Sequence, residues 1–171
     1  MASGLNSAHP FLLLLAVERC LELRIARRNA ARVLALGGRE YDAAFTRLIV
    51  LFHVSWFAAF ALEAFFGGNG PAVSPVWPAA AFLVLQILRY WCIVSLDGYW
   101  NTKIIALPGG PLVRKGPYRF LKHPNYVVVL VEIFLYPALF GCWATAVLFG
   151  IANIFILRRR IRQEDMALGR Q

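Results

Sequence analysis

Phe45-Thr46-Arg47-Leu48-Ile49-Val50-Leu51-Phe52-His53-Val54-Ser55-Trp56-Phe57-Ala58-Ala59-Phe60-Ala61-Leu62-Glu63-Ala64-Phe65-Phe66 is predominantly apolar, with Arg47, His53 and Glu63 its only ionisable residues. As a helix it would rise about 33 Å, enough to cross a hydrocarbon core ~30 Å thick. Working outward, similar runs lie at 9–26, 76–96, 124–140 and 142–158. The last two are short and meet at Phe140-Gly141-Cys142-Trp143, a pattern that predicts a tight helical hairpin. The first contains Glu18, Arg19, Glu22 and Arg24, so an amphipathic helix lying at the interface is its rival reading. The expected fold is an all-α integral membrane protein of about five transmembrane helices, with a C-terminal hairpin and a cytoplasmic tail helix.

The composition agrees. The 171 residues suit a single domain, expected to span 1–171 with its working core at about 97–171. Hydrophobic residues make up 60% and charged residues 16%, far from the ~25% charged of a soluble domain. The net charge of +9 would otherwise point to nucleic acid. Here the basic residues fall in three runs: Arg27, Arg28, Arg32, Arg39 and Arg47; Lys103, Arg114, Lys115, Arg119 and Lys122; Arg158, Arg159, Arg160, Arg162 and Arg170. All three runs lie on one side of a five-span arrangement, and 1–9, 67–75 and 141–143 on the other side carry none. The positive-inside rule then puts the amino terminus outside and the carboxyl terminus in the cytoplasm, and the charge needs no nucleic-acid partner. No signal peptide is evident, because no basic residue precedes the first run and no small-residue cleavage site follows it. The uncharged stretch Gly67–Pro75 reads as a plain turn. Cys20, Cys92 and Cys142 have no CxxC spacing and read as buried, unpaired thiols.

Ionisable groups inside hydrocarbon cost about 2.5–3.5 kcal/mol each, so they face the bundle and pair or work. Counted from the cytoplasmic helix ends, Glu132 lies about 12 Å deep, Arg89 about 10 Å, and His53, Glu18 and Arg19 at similar depth. They could floor a cavity open to the cytoplasm or simply form satisfied pairs such as Glu132 with Arg89. His53, without a second histidine at helical spacing, is a structural residue rather than a metal ligand, and no metal is expected. Trp56, Tyr90, Trp91 and Trp100 read as core and interface aromatics.

The stretch Gly116-Pro117-Tyr118-Arg119-Phe120-Leu121-Lys122-His123-Pro124-Asn125-Tyr126 breaks the chain at Gly-Pro and opens a helix at His-Pro, where proline's missing N–H costs nothing. A helix start offers free N–H groups suited to an anionic group. In the tail, Asn153, Leu157, Arg160 and Glu164 are spaced 4, 3 and 4 and share one helix face. Arg160 and Glu164 could form a plain i,i+4 ion pair there.

His123-Pro124-Asn125-Tyr126, an apolar hairpin, and then Arg160-Ile161-Arg162-Gln163-Glu164-Asp165-Met166-Ala167-Leu168 together resemble the isoprenylcysteine carboxyl methyltransferase family of membrane methyltransferases, a pattern shared with phospholipid methyltransferases. Asp165 stands where the familiar tail has a second glutamate, which favours Glu164 as a ligand. Arg89-Tyr90-Trp91-Cys92, Trp100-Asn101-Thr102, 111–118, Arg28-Asn29-Ala30 and Gly37-Gly38-Arg39-Glu40 are similar to the short bacterial branch. The resemblance is specific over about 86–168.

The resemblance implies S-adenosylmethionine as methyl donor on the cytoplasmic side. It places His123 and Tyr126 beside the donor, with Arg160 and Glu164 completing the pocket and Tyr118, Arg119, Asn125 and Asn153 as further candidates. It also implies a lipophilic acceptor drawn from the bilayer among the membrane lipids, in a bacterial inner membrane. The expected reaction is O-methylation of a hydroxyl or carboxyl of alkylpyrone-, alkylresorcinol- or isoprenoid-like type. Transfer from a sulfonium needs no metal and depends on positioning and water exclusion. Glu132 is the candidate base or acceptor-orienting group, with Arg89 as partner or anion clamp. Phospholipid N-methylation, an NADPH-dependent membrane reductase and a non-enzymatic membrane scaffold are the competing readings.

Overall fold

A computed structural model describes residues 8–66, 74–110 and 112–169. Residues 67–73 of the expected turn at 67–75, residues 1–7, Pro111, Arg170 and Gln171 lie outside them. Five long helices follow in chain order: α1 (Ala8–Ala35), α2 (Ala43–Phe66), α3 (Val76–Leu96), α4 (Pro124–Leu139) and α5 (Trp143–Ala167). α1 extends well past the expected end at 26. The basic stretch after it is rich in alanine, arginine and leucine, all strong helix formers, and Gly37, at φ 90°, stops it. The fifth run and the tail are one continuous helix, because Arg158–Arg162 offers no breaker. Between α4 and α5 the hairpin turns at Gly141, whose φ of 73° lies in the left-handed region.

Charged residues are buried beside an apolar core, and many large apolar residues face out. On α1 the buried face runs Phe11, Leu15, Glu18, Glu22, Ala26, a helical stripe that includes two glutamates. Leu13, by contrast, is 68% exposed, as are Val94 on α3 (71%) and Phe155 on α5 (64%). α2 buries only Phe45, Trp56 and Phe60, and holds to α4 through the Trp56 indole N–H donating to the Ile133 carbonyl at 3.0 Å. Exposed apolar surface this extensive is foreign to soluble monomers. α2 and the helix at 76–99 are long and apolar enough to cross a membrane. α4 is shorter, with Pro137 near its end. Cys92 and Cys142 are buried free thiols as expected. Cys20 is exposed, because it lies on the same outward face of α1 as Val17 and Leu21.

The basic loops at one end fold onto each other. β1 (Arg39–Tyr41) pairs antiparallel with β2 (Ile104–Ala106), Glu40 opposite Ile105, and Lys103 bonds Glu40 at 2.9 Å. Such a short pair leaves little trace in hydrophobic periodicity, and 97–123 reads as loop from sequence alone. The strands instead hold that stretch against the start of α4 and the end of α5.

Candidate active site

Inside the bundle, α1, α3 and α4 bring Glu18, Arg19, Glu22, Arg89 and Glu132 into one buried cluster. Glu132 accepts from Arg89 and from Arg19 at 2.7 Å on Oε2, and from Gln86 at 3.4 Å and Tyr136 at 3.3 Å on Oε1. Glu22 meets Arg19 at 2.5 Å and Arg89 at 3.0 Å. Of the residues matched by depth, Glu18, Arg19, Arg89 and Glu132 meet here, while Glu22, Gln86 and Tyr136 join them without having been matched. His53 stands apart from these bonds: its ring bonds the Ile49 carbonyl one turn back, at 2.8 Å.

At the basic end, the start of α4, the tail of α5 and the 97–123 segment enclose a cleft of about 960 Å³ including its open mouth. The enclosed space itself is about 120 Å³, smaller than the ~300–1,000 Å³ of fully formed small-molecule sites. His123, the residue capping α4, and Tyr126, one turn on, stack with ring centroids 5.4 Å apart. Both line the cleft with Glu164, Tyr118 and Asn125. Arg160 and Glu164 do not meet as a direct ion pair among the described contacts. The Tyr126 hydroxyl sits between them, accepting from Arg160 Nε at 2.8 Å and donating to Glu164. Arg160 lies buried behind the wall and also donates to the Thr102 carbonyl at 2.6 Å. Asp165, on which little weight is placed as a ligand, bonds His123 Nε2 at 3.0 Å.

Two of the residues expected here lie elsewhere. Arg119 is exposed and borders an adjoining depression that shares Leu112, Val113, Tyr118 and Lys122 with the cleft, but it does not line the cleft itself. Asn153 is fully buried between α5 and α4, reaching the Val129 carbonyl at 3.5 Å. Its helical spacing to Arg160 is correct, but it sits about 10 Å further along the axis.

Charge in the cleft is balanced by proximity. Burial works against an ionised Glu164, yet hydrogen bonds from His123 and Tyr126 and the charges of His123 and Arg160 hold its carboxyl below the usual range. Burial likewise opposes a charged His123, but Glu164 and Asp165 outweigh it and raise its imidazole. Burial pushes the Tyr118 phenol up. Three buried polar atoms on cleft-lining residues have no hydrogen-bond partner among the described residues: Trp100 Nε1, Asn101 Nδ2 and Asn125 Oδ1. Native proteins satisfy nearly all such atoms, so two open donors and one open acceptor fit a polar ligand. Trp100 reads as a core aromatic from sequence, and nothing in its spacing marks the indole N–H as open.

The isoprenylcysteine carboxyl methyltransferase family model matches residues 78–170, more than half of the chain. The chain belongs to the isoprenylcysteine carboxyl methyltransferase family. An uncharacterised protein of Bacillus subtilis, YpbQ, is 41% identical over 155 residues, 91% of this chain and 92% of that protein. An uncharacterised protein of Haemophilus influenzae is 28% identical over 160 residues, 92% of each. No solved structure matches. The family match takes in α3, α4, α5 and the loops between them, and so the whole cleft wall contributed by β2, His123, Tyr126 and Glu164. This isoprenylcysteine carboxyl methyltransferase family member is a membrane protein of a methyltransferase family.

Proposed function

We propose that this chain is a five-span bacterial inner-membrane enzyme, its amino terminus outside and its cleft facing the cytoplasm, that transfers a methyl group from S-adenosylmethionine to a lipophilic acceptor. The observation that carries this reading is the cleft itself. It joins an ionised glutamate, a stacked His–Tyr pair and three open polar atoms at the basic end of a bundle whose outer faces are apolar. S-adenosylmethionine, when bound, supplies an electrophilic methyl group on a cationic sulfur. Glu164 supplies the complementary negative charge, and Tyr126 and Arg160 fix where that charge stands. Tyr118, Asn125 and His123 form the wall that excludes water, which strengthens every charge interaction inside.

The acceptor, a hydroxyl or carboxyl compound of alkylpyrone, alkylresorcinol or isoprenoid type, would enter sideways from the bilayer while the polar donor enters from the cytosol. Glu132 already accepts four hydrogen bonds, two on each oxygen, and so serves better to orient than to abstract a proton. With Arg89 it makes a polar floor on the membrane side. Positioning donor and acceptor within ~3–3.5 Å is the main work left to the protein.

The test is heat unfolding of detergent-purified protein with S-adenosylhomocysteine and, separately, NADPH. A ligand at a hundredfold excess over Kd stabilises the folded form by about 2.7 kcal/mol. Stabilisation by S-adenosylhomocysteine that Glu164→Ala abolishes supports the reading. Stabilisation by NADPH alone, or by neither, overturns it. A panel of pyrones and phenols set against phospholipids then separates O-methylation from headgroup N-methylation.

A further inference from the structure

The stretch 112–122 carries Arg114, Lys115, Arg119 and Lys122 and no carboxylate. All four side chains are exposed, and none has a hydrogen-bond or ion-pair partner among the described residues. Other cations at this end are answered: Lys103 pairs with Glu40 and Arg159 with Asp42. The tail carboxylates Glu164 and Asp165 are already held by Tyr126 and His123. Arg114, Arg119 and Lys122 instead converge on the depression beside the cleft, about 470 Å³ in volume, within the ~300–1,000 Å³ of small-molecule sites. Between Arg119 and Lys122 stand two apolar residues turned to the outside, Phe120 at 77% exposure and Leu121 at 51%.

Like charges gathered without a counter-ion repel one another, and an anion in the depression relieves them. Arginine's planar fork suits a phosphate in particular. A small soluble anion would answer the cations and leave Phe120 and Leu121 in water, at a cost proportional to their apolar area. A phospholipid answers both, since cations beside large apolar residues are the composition of segments that lie in the headgroup layer. We infer that the depression holds the net-negative phosphate headgroup of a bilayer phospholipid on Arg114, Arg119 and Lys122, with Phe120 and Leu121 seated against its upper acyl carbons. Arg114 and Arg119 line the depression and not the cleft, so this lipid site is distinct from the cleft that takes the methyl donor. The inference needs the basic end to meet a bilayer surface, as in the reading above, and is independent of methyl transfer.

The test is native mass spectrometry of the full-length protein in detergent, titrated with phosphatidylglycerol or with phosphatidylcholine of the same acyl chains. Glycerol 3-phosphate serves as the soluble phosphate probe. Wild-type protein is expected to prefer phosphatidylglycerol. The double variant Arg114→Gln/Arg119→Gln is expected to weaken phosphatidylglycerol by about thirtyfold, the worth of two basic residues near an anionic surface, and to leave phosphatidylcholine unchanged. Phe120→Ser is expected to weaken phosphatidylglycerol as well. Arg27→Gln/Arg28→Gln removes the same charge from the exposed part of α1, outside the depression, and is expected to bind as the wild type does. The inference is overturned if the wild type shows no preference for phosphatidylglycerol, or if the two double variants lose equally, which would mean diffuse attraction to positive charge. It is also overturned if glycerol 3-phosphate binds as tightly as phosphatidylglycerol and Phe120→Ser changes nothing, which would mean a site for free phosphate. The unfolding test with S-adenosylhomocysteine and NADPH judges the methyltransferase reading separately, and its failure leaves the lipid result standing.

Discussion

Tyr126 stands between Arg160 and Glu164, taking a hydrogen bond from the guanidinium at 2.8 Å and giving one to the carboxylate. On an isolated helix, residues four apart meet directly. Here a phenol from α4 enters between them and turns an intrahelical pair into a clamp between two helices. Tyr126→Phe keeps the ring stacked on His123 and removes both bonds. Hydrogen bonds to charged groups are worth about 1.5–3 kcal/mol, so the variant is expected to lose at least tenfold in S-adenosylhomocysteine affinity and several degrees in thermal midpoint. Unchanged affinity in calorimetry would show that the clamp holds helices only.

The His123–Glu164–Asp165 group gives the protein a defined pH response. His123 has its folded value above the unfolded ~6.5, so its contribution is complete below that pH and fades as pH climbs through the folded value. Glu164 is depressed, so its contribution is present above the unfolded ~4.3 and lost as pH falls through its folded value. Both are in force between about pH 5 and 6.5. Asp165→Asn, which removes the charge facing His123 Nε2, is therefore expected to cost more thermal stability at pH 6 than at pH 9. An equal cost at both would sink the assignment.

Much of this arrangement is legible in the residue order, because it follows from periodicity. Apolar runs give all five helices, and the 4-3-4 spacing brings Arg160 and Glu164 to one face. The buried charges of α1, α3 and α4 could be matched by depth alone. What escapes is set by contacts between segments distant in sequence. The three-residue strands β1 and β2 pair across more than sixty residues, and neither has an alternating pattern long enough to read. The unpartnered N–H groups of Trp100 and Asn101 depend on which segments pack around them. Arg119 adjoins Tyr118 in sequence, yet only Tyr118 lines the cleft.

The buried cluster makes a different prediction from the cleft. Glu132 holds two guanidiniums, Arg19 and Arg89, and removing one partner of a buried ionic group leaves charge uncompensated at about 3–5 kcal/mol. Glu132→Ala should therefore be strongly destabilised, whereas Glu132→Gln, which keeps the shape and an acceptor, should be milder. Glu132 does not line the cleft, so Glu132→Gln that folds is expected to bind S-adenosylhomocysteine as the wild type does while methylating its acceptor more slowly. A large loss of S-adenosylhomocysteine affinity in that variant would move the cluster into the cofactor site.

Gly116 has φ 57°, and a Cβ there would lie 2.0 Å from Ser95 Oγ and 3.0 Å from the Trp91 indole nitrogen. The left-handed backbone and the contact act together: a side chain at 116 must push the 3₁₀ turn away from α3. That turn carries Tyr118 into the cleft. Gly116→Ala is expected to weaken S-adenosylhomocysteine binding several-fold and to lower the thermal midpoint. Pairing it with Ser95→Gly, which clears the nearest atoms, should recover part of both. No recovery would mean that backbone strain, rather than the clash, dominates.

Asn29 provides the most distant test, since it lies on α1, outside the matched family region at 78–170, and reaches the cleft only through the backbone it holds. Asn29→Asp retains size and removes both donated bonds to the Asp97 and Trp100 carbonyls. With those bonds gone, residues 97–102 keep the Arg160 bond to Thr102 and the packing of Trp100 but lose their hydrogen bonds to the first helix. Hydrogen exchange at the amides of 97–102 should accelerate, and S-adenosylhomocysteine affinity should fall by about three- to tenfold, the worth of one neutral hydrogen bond. Faster exchange with unchanged affinity would mean that the ligand itself orders the segment, and the first helix would then be a brace for the fold alone.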